Sequence, residues 1–323
     1  MSPVGVLVMA HGTPASLDGV ADFYTEIRRG QPPSAEQLAE LRARYEAIGG
    51  TSPLLERTRA QVDAIASALR REHGDAYRVE LGMKFAPPRI EDAVGALRAG
   101  GVSSVVGLVL APHSSVVSVG DYARRARQGA QDARDGAPVP IMVIDHWYDA
   151  PGFAALVAER VTAALGALPG GSGDTPGAAA IRAGATVVFT AHSVPTRVVE
   201  EGDDYSRQVH ASAAAVAGEA GLERWTVAWQ SAGRTPEPWL GPDLREVITA
   251  RAAAGDTGVV VCPIGFVSDH LEILYDIDIE ARAVADEAEI PLVRTASLND
   301  DTRFAEILAG VVAGATPTGP EGP

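Results

Sequence analysis

Short apolar runs of strand length alternate with stretches of helical periodicity from one end of the chain to the other, and this alternation restricts the fold more than any other feature. The runs lie near residues 4–9, 77–83, 104–110 and 139–144, with helix-like stretches near 17–28, 35–47, 54–71, 89–99 and 119–134. The second half repeats the scheme, with strands near 185–190, 225–230, 257–262 and 290–294 and helices near 203–220, 241–254, 269–287 and 301–314. Continuous apolar strands joined by helices imply parallel sheets covered on both faces. The expected class is therefore α/β, with two Rossmann-like, doubly wound lobes and a cleft between them. The boundaries read as 1–150 for the first lobe, 151–314 for the second, and 315–323 for a disordered tail of Pro, Gly and Thr. Residues 168–184, rich in Gly, Pro, Ser and Ala, read as a linker or long loop.

One phrase is written twice: Leu7-Val8-Met9-Ala10-His11-Gly12-Thr13-Pro14 and Val188-Phe189-Thr190-Ala191-His192-Ser193-Val194-Pro195. Each copy is a buried run that stops at Ala-His, so each places a histidine just past the carboxyl end of a parallel strand. Open α/β sheets bind ligands there. Imidazole is both a metal ligand and a base near neutral pH, so His11 and His192 are candidate site residues.

Composition excludes several classes of function. The 42 acidic residues outnumber the 27 basic ones, for a formal net charge of −15, which repels phosphate backbones and argues against a nucleic-acid partner. The single cysteine, Cys262, leaves no internal disulfide and cannot hold an iron–sulfur cluster. No stretch approaches the ~20 apolar residues of a membrane span, and the Val4–Met9 run is short and lacks a basic leader. These points predict a cytoplasmic protein that does not insert into membranes.

The densest chemical signal is the run from Cys262 to Glu280. A buried strand ends at Pro263, a turn follows, and Ser268 or Asp269 is placed to cap a helix over 269–287. On an α-helix Glu272, Asp276 and Glu280 fall at i, i+4, i+8 and form one carboxylate stripe beside an apolar arc of Ile273, Ile277, Ala281 and Val284. Like charges four apart cost a helix roughly 0.2–0.5 kcal/mol per pair, so something cationic should offset them. Because this helix starts where a parallel strand ends, Glu272 should face the same cleft as His192, and oxygen and imidazole ligands together suit a divalent metal. A solvated acidic face is the competing reading. His270, two positions from Glu272, is expected on another side of the helix as a packing or capping residue.

Further candidates lie in both halves. Arg28, and Arg44 and Tyr45 ahead of the Gly49-Gly50-Thr51-Ser52-Pro53 turn, bring guanidinium and hydroxyl groups beside backbone that can approach an anion closely. Trp239, on the rigid Pro236–Asp243 lip, could support a large flat ligand or simply pack its loop.

Taken in order, these phrases resemble the ferrochelatase family, and among its members the soluble bacterial type that acts on coproporphyrin III. The resemblance is carried by Leu7–Pro14, Arg44–Leu54, Ala191–Pro195, Trp229–Asp243 and Gly265–Asp276 and runs from about residue 5 to 312. It implies a lyase-class chelatase of two Rossmann-like lobes that inserts Fe2+ into a porphyrin in haem biosynthesis. Carried over by position, His192 and Glu272 become the iron-handling and proton-accepting pair. His11, Arg28, Arg44, Tyr45, Ser52, Tyr122 and Trp239 take porphyrin-binding places. Arg44, Asp276 and Glu280 resemble an outer site for a hydrated Mg2+. The resemblance further implies no tightly bound cofactor, Fe2+ as a substrate, and a monomer. One position departs from the pattern, since the soluble members usually carry tyrosine where this chain has His11.

The chemistry asks for such a pair. A planar porphyrin encloses two N–H protons, so metal entry requires a buckled ring and an acceptor for those protons. A distortion of about 1–5 kcal/mol would be drawn from remote contacts such as arginine with carboxylate. His192, with an ordinary imidazole pKa of ~6.5, is expected to take the protons at neutral pH, with Glu272 helping to strip water from Fe2+. Protoporphyrin as substrate, a cobalt chelatase, and a non-catalytic porphyrin carrier ligated through His11 are the alternatives.

Overall fold

The computed structural model describes residues 2–131, 138–233 and 235–316. In chain order the elements are β1 (Val4–Ala10), α1 (Val20–Ile27), α2 (Ala35–Ala47), α3 (Leu54–His73), β2 (Tyr77–Met83), α4 (Ile90–Ala99), β3 (Val105–Val109), α5 (Val119–Gln131), β4 (Ile141–Val143), α6 (Phe153–Gly166) and α7 (Pro176–Gly184). They continue with β5 (Thr186–His192), α8 (Thr196–Glu200), α9 (Tyr205–Glu219), β6 (Trp225–Gln230), α10 (Leu244–Ala253), β7 (Val259–Cys262), α11 (Leu271–Leu274), a π-helical segment (Asp276–Ala281), α12 (Arg282–Glu287), β8 (Leu292–Arg294) and α13 (Thr302–Ala315).

Each half builds a four-stranded sheet in which every pairing is parallel, in the order β2-β1-β3-β4 and β6-β5-β7-β8. The order is the same in both, so the twice-written phrase occupies equivalent central strands. In each sheet the chain winds first to one side of the opening strand and then crosses to the other, which makes the carboxyl ends of β1 and β5 topological switch points. Strands β3 and β7 are buried throughout, as apolar runs covered on both faces require. His11 follows β1 directly. His192 sits one step earlier than expected: it is the last residue of β5 and pairs in register with Gln230.

One unit runs to Ala150 and resumes at Asn299; the other is Pro151–Leu298. This corrects the expected end of the second lobe, because α13 belongs with the first. Phe304 packs on Trp147 at 5.7 Å between ring centroids, Gln61 donates to the Asn299 carbonyl at 2.9 Å, and Arg71 pairs with Glu306 at 2.8 Å. The amphipathic face of α13 is covered by α3 and β3 rather than by its neighbours in sequence.

Three further expectations change. Helix α6 was not anticipated, and α7 forms inside the stretch read as a linker. Its local signals are the Thr175 hydroxyl, which caps the helix by accepting from Ala178 N, Pro176 in the first turn, and a run of alanines. The glycines and prolines around it mask that signal in composition. Arg182 Nη1 donates to the Gly171 and Gly173 carbonyls and folds the preceding loop back onto α7. At the C-terminus, Ala315 closes α13, and 317–323 lie outside the described residues, as do 132–134 of the expected fifth helix. No helix among the described residues is long and apolar enough to cross a membrane.

One glycine sets how tightly the second sheet closes beside His192. Gly265 N donates to the Thr190 carbonyl at 3.0 Å, and a Cβ on Gly265 would stand 2.6 Å from Ala191 Cβ and 2.8 Å from Ala191 Cα. Both neighbours lie on the buried strand and cannot swing away. Gly265→Ala is expected to lower unfolding free energy by about 1–3 kcal/mol, the usual range for overpacking, measured by urea denaturation.

Candidate active site

Glu272 lies in the first turn of α11 and reaches two histidines. His192 Nε2 is 3.6 Å from Oε1, and His270 Nε2 is 3.6 Å from Oε2. The two rings are oriented alike: His192 Nδ1 lies 2.6 Å from the Ser193 carbonyl and His270 Nδ1 lies 2.9 Å from the Ser268 carbonyl. A nitrogen that close to a carbonyl oxygen carries the hydrogen, so a neutral ring holds its lone pair on Nε2, the atom facing the carboxylate.

His270 is thus a partner of Glu272 rather than a packing residue. The expectation that two positions would separate them assumed a helix already begun. His270 is instead the extended residue ahead of the helix (φ −159°, ψ −176°), where alternate residues share a side. Phe266 braces its ring at 5.1 Å.

The backbone beneath Glu272 is fixed from the neighbouring strands. Thr190 Oγ1, on β5, donates to Gln230 Oε1 at 2.8 Å, and Gln230 Nε2, at the end of β6, donates to the Glu272 carbonyl at 3.0 Å. Tyr205 donates its hydroxyl proton to the His192 carbonyl at 3.0 Å. The Ser231 hydroxyl donates to Asp276 Oδ2 at 2.5 Å. Gln230, Thr190 and Tyr205 each act through a contact between distant strands or helices, which sequence does not display.

The single α-helix expected over 269–287 is replaced by α11, the π segment and α12. Both Ile279 N and Glu280 N donate to the Tyr275 carbonyl, at 3.2 and 2.9 Å, the second being the i to i−5 bond that widens the turn. The sequence does carry a signal for this. Ile273, Ile277, Ala281 and Ala285 are all fully buried, a strict period of four that drifts by about 40° per step on an α-helix but stays aligned on a wider one. Ala285, not the expected Val284, completes the buried row. Glu272, Asp276 and Glu280 follow the same period. The cation expected to offset them includes Arg245, which hydrogen-bonds Asp243 at 2.9 Å and is held above its ordinary value mainly by that bond, with the charges of Glu280 and Asp276 adding to it against burial.

Among the described residues no three His, Cys, Asp or Glu side chains converge to hold a metal ion. Asp276 is buried and uses one oxygen on Ser231, while Arg44 lies in the other unit beside Glu40 at 3.5 Å.

In the first unit, His11 repeats the device seen at His192, with Nδ1 3.2 Å from the carbonyl of the next residue, Gly12. Its surroundings are aromatic instead of acidic: Phe85 at 4.8 Å and Phe23 at 6.1 Å. Lys84 Nζ stands 5.0 Å over the Phe85 ring and 5.3 Å over the Tyr122 ring and pairs with Asp121 at 2.7 Å. His11 and Tyr122 are therefore joined through Phe85 and Lys84. Tyr45 is buried, with its hydroxyl 3.3 Å from Thr13 Oγ1, two residues beyond His11. Ser52 Oγ accepts from Leu54 N at 3.3 Å, and Arg28 lies over the Tyr24 ring at 5.7 Å. Trp239 donates to Thr235 Oγ1 and its indole packs against Gly233, where a Cβ would stand 2.3 Å from the ring, so one side of it is taken up by its own loop.

Charge couples the pair in the second unit. Burial alone would lower the His192 pKa, but the Glu272 charge, a hydrogen bond to it, and the Ser193 carbonyl outweigh this and push the imidazole up to about 9. Burial opposes ionisation of Glu272, yet His192 and His270 hold its carboxyl well below the ordinary carboxylate range. In the free protein at neutral pH the pair is imidazolium and carboxylate, which corrects the expectation of an ordinary imidazole. Each side chain keeps a third or more of its surface open, so solvent screens the interaction. The raised imidazole stabilises the fold fully below pH ~6.5 and loses that contribution as pH rises through about 9, whereas the lowered carboxyl contributes above pH ~4.5. The pair should therefore be most stabilising between about pH 4.5 and 6.5. The expected His192 midpoint by histidine-ring NMR is about 9, and Glu272→Gln should move it down, below pH ~6.5 if burial then dominates.

A sequence model of the ferrochelatase family matches residues 3–316. The chain is 41% identical over 310 residues to the coproporphyrin III ferrochelatase of Geobacillus kaustophilus, covering 95% of this chain and 94% of that protein. It is 40% identical over 309 residues to a ferrochelatase of Herpetosiphon aurantiacus, covering 96% and 98%. The sirohydrochlorin chelatase of Bacillus subtilis, solved with cobalt, shares the fold with a TM-score of 0.56 at 9% identity, covering 96% of this chain and 94% of that one. With a family match over nearly its whole length and relatives near 40% identity, the chain belongs to the ferrochelatase family.

Proposed function

We propose that the protein inserts Fe2+ into coproporphyrin III in the cytoplasm, as a monomer, with His192 and Glu272 as the residues that exchange protons for metal. The observation that carries this reading is the facing of His192 Nε2 and Glu272 Oε1 at 3.6 Å. The porphyrin assignment rests on the relatives named for coproporphyrin III at about 40% identity. A tetracarboxylate porphyrin is water-soluble and suits arginine partners, for which Arg28 and Arg44 are the candidates. Tyr45, Ser52 and Tyr122 take the remaining porphyrin contacts, and His11 would supply an imidazole ligand to the product iron.

Charge is conserved in the exchange: one dication enters the ring and two pyrrole protons leave. Because His192 starts protonated, it must first release a proton to become an acceptor. Fe2+ arriving at Glu272 provides the cause, since it competes with the imidazolium for the carboxylate and repels its charge. His192, whose side chain is open to solvent, gives its first proton to water; neutral His192 then presents the Nε2 lone pair, with Nδ1–H kept on the Ser193 carbonyl, and takes the two pyrrole protons in turn, passing the first to water before it accepts the second.

An outer Mg2+ would have to be held through its own waters. Mg2+ keeps several water ligands and needs few carboxylates, and Asp276 and Glu280 fit that demand, not direct coordination by a protein cage. No prosthetic group is assigned.

His192→Ala should abolish insertion while leaving coproporphyrin binding, read by fluorescence quenching, within a few-fold of the parent. Retained turnover would remove the assignment. Anaerobic assays with coproporphyrin III and protoporphyrin IX side by side should favour the former in kcat/KM, and a preference for protoporphyrin would overturn the substrate reading. His11→Tyr should change the Soret absorption of bound product, because phenolate replaces imidazole on the iron.

A further inference from the structure

One guanidinium grips the chain on both sides of Glu272. Arg294, the last residue of β8, sends Nε and Nη2 to the two oxygens of Asp278 at 2.8 and 2.9 Å. Its Nη1 lies 3.3 Å from Asp269 Oδ1 and donates to the Thr295 carbonyl at 3.1 Å and to Ser297 Oγ at 3.3 Å. Ser297 Oγ in turn donates to Asp269 Oδ1 at 2.7 Å. Asp269 immediately precedes His270, and Asp278 lies within the π segment. The Arg294 side chain is only 15% exposed, so this fork is well shielded, unlike the solvated pairs on the outer helices.

The segment between the two grips is anchored on one side by buried Ile273 and Ile277 and by the Ser231–Asp276 hydrogen bond, but its helical hydrogen bonding is weak. Helix α11 is four residues long, too short to be stable on its own, and the π segment that follows has poorer hydrogen-bond geometry than an α-helix. Gln230 fixes the Glu272 carbonyl, and the apolar contacts of Ile273 and Ile277 set its depth but, being non-directional, do not by themselves set the register of the carboxylate. A planar fork that binds Asp278 at two points and Asp269 at a third adds the directional constraint on both sides of Glu272.

We infer that Arg294 is a positioning residue for iron insertion: by clamping Asp269 and Asp278 it holds α11 in the register that sets Glu272 against His192 and His270. This rests on the reading of His192 and Glu272 as the exchanging pair. Arg294 acts through the backbone between its two partners, Asp269 and Asp278. A misplacement of a reacting group by about 1 Å can cost on the order of 100-fold in rate.

The test measures insertion kinetics of Arg294→Gln, Arg294→Lys and Asp278→Asn in the full chain, with thermal melts as a check on folding. Arg294→Gln is expected to lower kcat roughly 10- to 100-fold while KM for coproporphyrin III stays within about twofold. Arg294→Lys, which keeps the charge but not the fork, should recover part of kcat. The inference is overturned if folded Arg294→Gln retains kcat within about twofold, or if KM rises in step with the loss of kcat. Should Arg294→Gln not fold, Asp278→Asn decides: reduced kcat at unchanged KM supports the clamp, and parental kcat overturns it. Glu272→Gln separates this from failure of the underlying reading. If that variant still inserts iron the pair is wrong, whereas an inactive Glu272→Gln beside a fully active Arg294→Gln removes the clamp alone.

Discussion

A carboxylate flanked by two imidazoles is stable only if its charge and theirs are held in register, and the second half of the molecule is arranged to do this. The Nδ1 atoms of His192 and His270 are each taken up by a nearby backbone carbonyl, which leaves both Nε2 atoms to Glu272. Thr190 and Gln230 carry the constraint from the strands to the Glu272 backbone. The result is a strongly coupled pair, with the imidazole raised and the carboxyl lowered. Such a pair resists protonation change, because losing the imidazole proton leaves the carboxylate charge uncompensated.

The two halves use one topology for two environments. His11 and His192 follow equivalent central strands, and each places Nδ1 on the carbonyl of the next residue. Around His11 the neighbours are Phe23 and Phe85, with Lys84 and Tyr122 beyond. Around His192 the neighbours are carboxylates. The imidazole beside the carboxylate is held charged, with its pKa pushed up to about 9. The same short phrase thus places one histidine among aromatic rings and the other against a carboxylate because their surroundings differ.

The acidic stripe is costly by itself, and the fold offsets it locally. Asp276 accepts from Ser231, Arg245 feels the charges of Asp276 and Glu280, and Arg294 binds Asp278 and Asp269. The Glu272 carboxylate faces the two histidines, His192 and His270, each at 3.6 Å.

Much of this was legible in sequence. Continuous apolar runs and helical periods imply parallel sheets because a period-two alternation is absent, and the switch-point histidines follow from where those runs stop. The repeat at Glu272, Asp276 and Glu280 is visible, and so is the period of four at Ile273, Ile277, Ala281 and Ala285 that marks a widened turn. Short helices such as α7, set among glycines and prolines, are hidden because composition averages over the cap and the alanines that nucleate them. What tertiary structure alone decided is pairing between residues far apart in the chain: Gln230 on Glu272, Arg294 on Asp278, α13 on α3, and the shift of His192 away from an ordinary imidazole. Sequence specifies each side chain's chemistry and local period, whereas a pKa or a clamp depends on distances of a few ångströms that exist only after distant segments pack together.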